Sequence, residues 1–138
     1  MEQLAVEIVG LCREYGECRV EAERMEEARR VKNALESVCA MARQRLDISD
    51  PALLLALLDA CEVTRDEGML QEVLDVVGRN LDRLAVSAES VKLLACCYYY
   101  VEEKECVERA GRMLEELRKM GRGEEELADV ETILEELT

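Results

Sequence analysis

The chain has no histidine. That absence removes the usual side chain for proton transfer near neutrality, the Glu-x-x-His motif of di-iron bundles and any mixed Cys/His zinc site. Phenylalanine and tryptophan are absent too, and four tyrosines are the only aromatic residues. A core must then be built from Leu, Val, Ala, Met and Cys, the residues of helix-on-helix packing. One proline, Pro51, and seven glycines leave few places to break a helix. No run alternates apolar and polar residues over six positions between turn residues, so strands are not expected. No apolar stretch approaches the ~20 residues that span a bilayer. The N-terminus has no basic segment leading into an apolar core, as a secretion signal would. These absences lead to the expectation of an all-α, cytoplasmic protein with no membrane partner.

What is present fits that expectation. With 138 residues, 49% of them hydrophobic, the chain is long enough for one domain with a real core, so residues 1–138 are read as a single helical unit. The net charge of -14 is high, but the apolar content excludes a disordered acidic tail. Seven cysteines is an odd number with no CxxC pair, so neither a disulfide framework nor a metal site is expected. Cys12, Cys39, Cys61 and Cys106 fall in apolar helical stripes, where a reduced thiol acts as a small hydrophobe. Cys18, Cys96 and Cys97 are the remaining nucleophile candidates. Their only neighbouring bases are carboxylates, which raise a thiol pKa and blunt it. With no Gly-rich phosphate loop and no calcium-loop pattern, neither an enzyme nor a cofactor is expected.

Apolar spacing along the chain predicts about seven helices in antiparallel hairpins. Leu4, Ile8, Leu11, Cys12 and Tyr15 give a first helix closed at Gly16. From Glu17 to Leu46 one apolar pattern runs without proline or glycine. It predicts a single helix of ~45 Å, or two with a break near Arg29-Arg30, so that 1–48 form a long hairpin. Asp50-Pro51 reads as a cap followed by a first-turn proline, opening a central helix with Leu54, Leu55, Leu57, Leu58 and Cys61. Asp66-Glu67-Gly68 turns the chain into a fourth helix that ends by Ala85. Ser87 opens a fifth, and a sixth ends at Met120-Gly121. Residues 124–138 form an acidic capping helix.

Two stretches echo each other. Val73–Leu84 aligns with Cys106–Leu117 at a shift of 33, keeping a Gly-Arg pair (Gly78-Arg79, Gly111-Arg112) and leucines three and six positions beyond each glycine. Upstream, Leu57–Cys61 answers Leu93–Cys97 at a shift of 36. Residues 50–85 and 87–121 are therefore read as two copies of one hairpin, with Gly78 and Gly111 expected where helices approach closely. A helical pair recurring at this interval marks stacked repeats. Residues 50–121 resemble the right-handed α-solenoids of tetratricopeptide type: Tyr98, four residues after Leu94 and three after the small Ala95, fits the first helix of such a unit. The resemblance implies stacked hairpins that work by binding, and it transfers no functional residue.

Four features are candidates for function. Tyr98, Tyr99 and Tyr100 are successive, so on a helix they point 100° apart and cannot all face one core. One or more should sit in a groove as a partner contact. Residues 28–46 carry a local charge of +4, with Arg29, Lys32 and Arg43 on one face; this is an anion patch or, more simply, a set of ion pairs with neighbouring acidic helices. The paired glutamates elsewhere read as solvated faces. Leu127, Val130, Leu134 and Leu137 form a narrow seam that either caps the last hairpin or meets a second copy of the chain in a homodimer. The function expected from these features is a non-enzymatic protein-binding module whose acidic rims select a basic partner. An acidic inhibitor that mimics nucleic acid is the alternative. A nucleic-acid-binding repeat protein using the 28–46 patch comes third, because a chain at -14 repels polyanions.

Overall fold

The computed structural model describes residues 2–121 and 124–137, with side chains for 3–121 and 127–136. Among the described residues the protein is all-α. Its seven helices are α1 (Glu2–Cys18), α2 (Met25–Arg43), α3 (Pro51–Thr64), α4 (Glu67–Arg79), α5 (Ala88–Val101), α6 (Lys104–Lys119) and α7 (Glu124–Leu137). Short 3-10 turns at Ala22–Arg24 and Leu81–Arg83 precede α2 and follow α4.

Local chemistry sets most of the boundaries. The Asp50 carboxylate accepts from the Leu53 N–H at 3.2 Å, with Pro51 in the first turn. Asp66 does the same for Met69 at 3.0 Å, and Ser87 Oγ for the Ser90 N–H at 3.1 Å. Each satisfies one of the amides left open at a helix start. At the other ends, Arg65 (φ 62°) and Glu102 (φ 53°) take the left-handed conformation usually left to glycine. Their N–H groups bond back to Cys61 and Tyr98, both at 2.8 Å.

The helices pack as α1–α2, α3–α4 and α5–α6 pairs. In addition α1 meets α3, α3 meets α5 and α5 meets α7. The odd-numbered helices thus follow one another in a row, and α3 lies between α1 and α5. This explains why α3 buries most of its circumference, with Leu53, Leu54, Leu57, Leu58 and Cys61 all inside. The facing side of α5 contributes Val91, Leu93, Leu94 and Cys97. On α7, Leu127, Val130 and Leu134 are buried in the same core, against α5 and α6. Leu137, the fourth residue of the expected seam, lies outside the described side chains.

Three sequence expectations are corrected. The first helix does not close at Gly16 but runs on to Cys18. The 17–46 stretch is not one helix, and its break is not at Arg29-Arg30: the chain turns at 19–24. Met25, just after the turn, is 55% exposed, whereas Cys18, just before it, is fully buried. Turning there lets α2 lie back along α1 and bury Val31, Leu35 and Cys39, which outweighs the helical propensity of an unbroken run. Arg24 clamps the turn by donating to Glu27 at 2.9 and 3.0 Å.

The last correction concerns the glycines. A Cβ built at Gly78 or Gly111 would meet nothing within 4 Å, so neither marks a close helix approach. The sequence echo also diverges in the backbone. Leu114 and Leu117 lie inside α6, while the aligned Leu81 and Leu84 fall in and just after the 3-10 turn. Asn80, which aligns with the buried Met113, causes the difference. Its side-chain amide donates to the Val76 carbonyl at 2.7 Å and closes α4.

Candidate functional site

Burying Leu93, Leu94 and Cys97 fixes the rotation of α5, and the 100° step then sorts the three tyrosines. Tyr98 is half-buried against the core, Tyr100 is half-buried, and Tyr99 is 72% exposed. Tyr99 and Tyr100 meet edge to face, with ring centroids 5.3 Å apart and an interplanar angle of 88°. Both border a cleft of about 340 Å³ that runs between α3, α5 and α7. Its apolar wall is Leu58, Ala95, Cys96 and Ile133; its polar members are Asp59, Glu62 and Glu136, with no Lys or Arg among the described lining residues. A second cleft of about 320 Å³ shares Glu62, Tyr99 and Tyr100 and extends toward Arg65, Asp66 and Glu67 at the start of α4.

The electrostatics of the first cleft follow from that lining. Partial withdrawal from water pushes the Asp59 carboxyl above the usual aspartate range, and Glu62 one turn along adds to the rise. Burial raises the Tyr100 hydroxyl, with Glu62 the next contributor. Burial likewise raises the Cys96 thiol, followed by Asp59 and Glu62. In all three, partial burial disfavours the charged form and a neighbouring carboxylate adds to the effect. A bound cation would lower the cost of ionising all three groups.

The other sequence candidates lie elsewhere. Arg29 is exposed and Lys32 half-buried on α2. At ~1.5 Å per residue, Arg29 and Arg43 are about 21 Å apart along the helix. Arg43 bonds Glu72, its Nε donating at 3.0 Å, and faces Asp66 at 3.5 Å, joining α2 to α4. Leu127, Val130 and Leu134 are core residues, whereas the other side of α7 brings Ile133 and Glu136 to the cleft.

Among Cys18, Cys96 and Cys97, carboxylates are the bases found near the thiols: Glu27 beside Cys18, and Asp59 and Glu62 near Cys96, each raising the thiol pKa. Burial is the first cause of the raised pKa at each, carrying Cys97 to about 12. Thiols so shifted stay protonated near neutrality. Among the described residues no group of three or more Cys, Asp or Glu is arranged to hold a metal ion, and no helix is long and apolar enough to cross a membrane.

Sequence reasoning missed Asp59, Glu62, Ile133 and Glu136. They come from two helices that are distant in the chain and carry no shared local signal.

The chain matches no protein-family model, no curated protein and no solved structure. The fold therefore stands as an all-helical arrangement of seven packed helices, with no family or repeat identified.

Proposed function

We propose that the protein is a non-enzymatic interaction module, an adaptor or assembly subunit, whose α3–α5–α7 face receives a basic amphipathic segment of another protein. In this reading α3–α4 and α5–α6 are two hairpins of a tetratricopeptide-like solenoid, and α7 caps the row with a polar outer face. The observation that carries the proposal is the cleft beneath Tyr99: an apolar wall ringed by Asp59, Glu62 and Glu136, with Arg65 in the adjoining cleft and no basic residue among the described residues that line this one. Apolar side chains of the partner would fill the cleft, while lysines or arginines would meet the rim. Exposed Tyr99 offers a large, stiff contact surface at low entropic cost, as interface tyrosines do. Carboxylates grouped around an apolar wall favour this reading over nucleic-acid mimicry, which calls for a stripe of carboxylates spaced like phosphates.

A fluorescent Leu/Lys amphipathic helical peptide provides the test, with a Leu/Glu peptide of equal length as control. The expected result is binding of the Leu/Lys peptide alone, weakened more than about tenfold by Tyr99→Ala or by Glu62→Gln with Asp59→Asn. Neutralising Glu115 and Glu116, on exposed positions of α6, should change affinity much less. Equal losses from both sets of changes would mean that bulk charge, not the cleft, holds the peptide.

A further inference from the structure

We infer that a second cavity, between the end of α4 and α6, is a binding site for a phosphorylated polyol such as a sugar phosphate. The cavity measures about 570 Å³ and is separate from the tyrosine groove. It lies within the ~300–1,000 Å³ range of small-molecule sites. Four arginines line it: Arg79 and Arg83 from the end of α4 and the turn beyond, Arg109 and Arg112 from α6. This is a concentration of guanidinium groups in a chain whose net charge is -14.

Among the described residues Arg24, Arg43 and Arg118 each pair with a carboxylate, while the four cavity arginines, like Arg29, Arg30 and Arg65 elsewhere, form no ion pair and keep their guanidinium groups available. Asp82, Glu105 and Glu108 line the same cavity, yet no carboxylate oxygen comes within 4 Å of the guanidinium nitrogens. Arg109 is held on one side by the Leu84 carbonyl, a long contact at 3.5 Å, and its buried Nε has no acceptor. That nitrogen is closed off from solvent, so a ligand in the cavity would be met by the terminal guanidinium nitrogens of the four arginines and not by the Arg109 Nε. Guanidinium forks match the oxygens of phosphate in pairs.

The carboxylates narrow the ligand class. A bare polyanion would meet Asp82, Glu105 and Glu108 as well as the arginines and would be repelled by the chain as a whole. A molecule with a phosphate at one end and hydroxyl donors at the other uses both kinds of group. The Gly-Arg echo acquires a meaning here: Gly78-Arg79 and Gly111-Arg112 deliver Arg79 and Arg112 to opposite walls of one cavity, and Gly78 leaves its wall open.

Side-chain Nε–H NMR signals of the arginines, followed during titration with ribose 5-phosphate, test the assignment. Ribose and inorganic phosphate serve as separate arms. The expected result is saturable shifts at Arg79, Arg83, Arg109 and Arg112 with a Kd tighter than about 1 mM, while Arg24, Arg43 and Arg118 stay in place. Arg112→Gln, at an exposed position, should weaken binding at least about tenfold with the helical circular dichroism unchanged. Equal shifts at all arginines, or none, would overturn the site. Inorganic phosphate binding as tightly as ribose 5-phosphate would overturn the role given to the carboxylates. A single-stranded oligonucleotide that binds there more tightly than the sugar phosphate would make the cavity a nucleic-acid contact and overturn the small-ligand reading.

Discussion

Tyr99 stands edge-on to Tyr100, its ring centre 5.3 Å away, while remaining 72% exposed itself. Tyr100 is anchored by packing on the core and in turn limits the positions open to its neighbour. The pair thus holds an aromatic ring at the border of two clefts with little dependence on the core for its own placement. Tyr99→Ala should cost less than about 1 kcal/mol of folding stability, measured by urea unfolding, while removing the main contact surface of the groove.

Gly111→Ala should stabilise the protein by about 1 kcal/mol, since alanine is the better helix former and its Cβ meets nothing within 4 Å. Thermal melting checks this. A lower melting temperature would mean that a neighbour approaches Gly111 more closely than the packing of α6 allows.

Asp59 makes the groove sensitive to pH. Its folded-state pKa is raised above the ordinary 3.8. Ionising it therefore opposes folding, and its contribution to stability is fully present below pH 3.8 and lost as pH rises through the raised value. Glu72 has the opposite sign: the Arg43 hydrogen bond lowers its pKa, so its contribution is lost on acidification. Asp59→Asn should accordingly raise stability at pH 7 and give no gain below the ordinary aspartate range. Urea unfolding across pH, wild type beside variant, measures the difference.

Truncation after Gly121 should destabilise the chain by more than about 3 kcal/mol. It removes the buried Leu127, Val130 and Leu134 from the α5–α6 surface. It should also increase binding of an apolar dye. Arg118→Ala removes only the exposed ion pair with Glu131 and should cost under about 1 kcal/mol. Similar losses from the two changes would place the contribution of α7 in its charges and not in its seam.

Much of the fold was legible because local chemistry wrote it. Asp50, Asp66 and Ser87 cap helices through their own side chains. The spacing of Leu127, Val130 and Leu134 announces a narrow buried seam. The turn at 19–24 was not legible because it contains no glycine or proline and exists only because α2 gains by packing back on α1. Asn80 was overlooked as a stop because its effect depends on one side-chain hydrogen bond to Val76. The groove had half a signal, the tyrosine run. Its carboxylates and Ile133 meet only when α3, α5 and α7 are laid side by side, and the four cavity arginines converge in the same non-local way.

The most direct test of the groove as a docking surface uses Cys96, which lines it and is half-buried. Alkylation followed by mass spectrometry reads the modification of each of the seven free thiols. In the native protein Cys12 and Cys96 should react slowly, as their raised thiol pKa values require, and the five buried thiols only on unfolding. Saturating Leu/Lys peptide is expected to slow Cys96 by at least about tenfold, the Leu/Glu peptide to leave its rate unchanged, and Tyr99→Ala to shift the protection to at least about tenfold higher peptide concentration. Cys96 reacting at the same rate with and without bound Leu/Lys peptide would contradict the account, because the peptide would then lie somewhere other than the α3–α5–α7 groove.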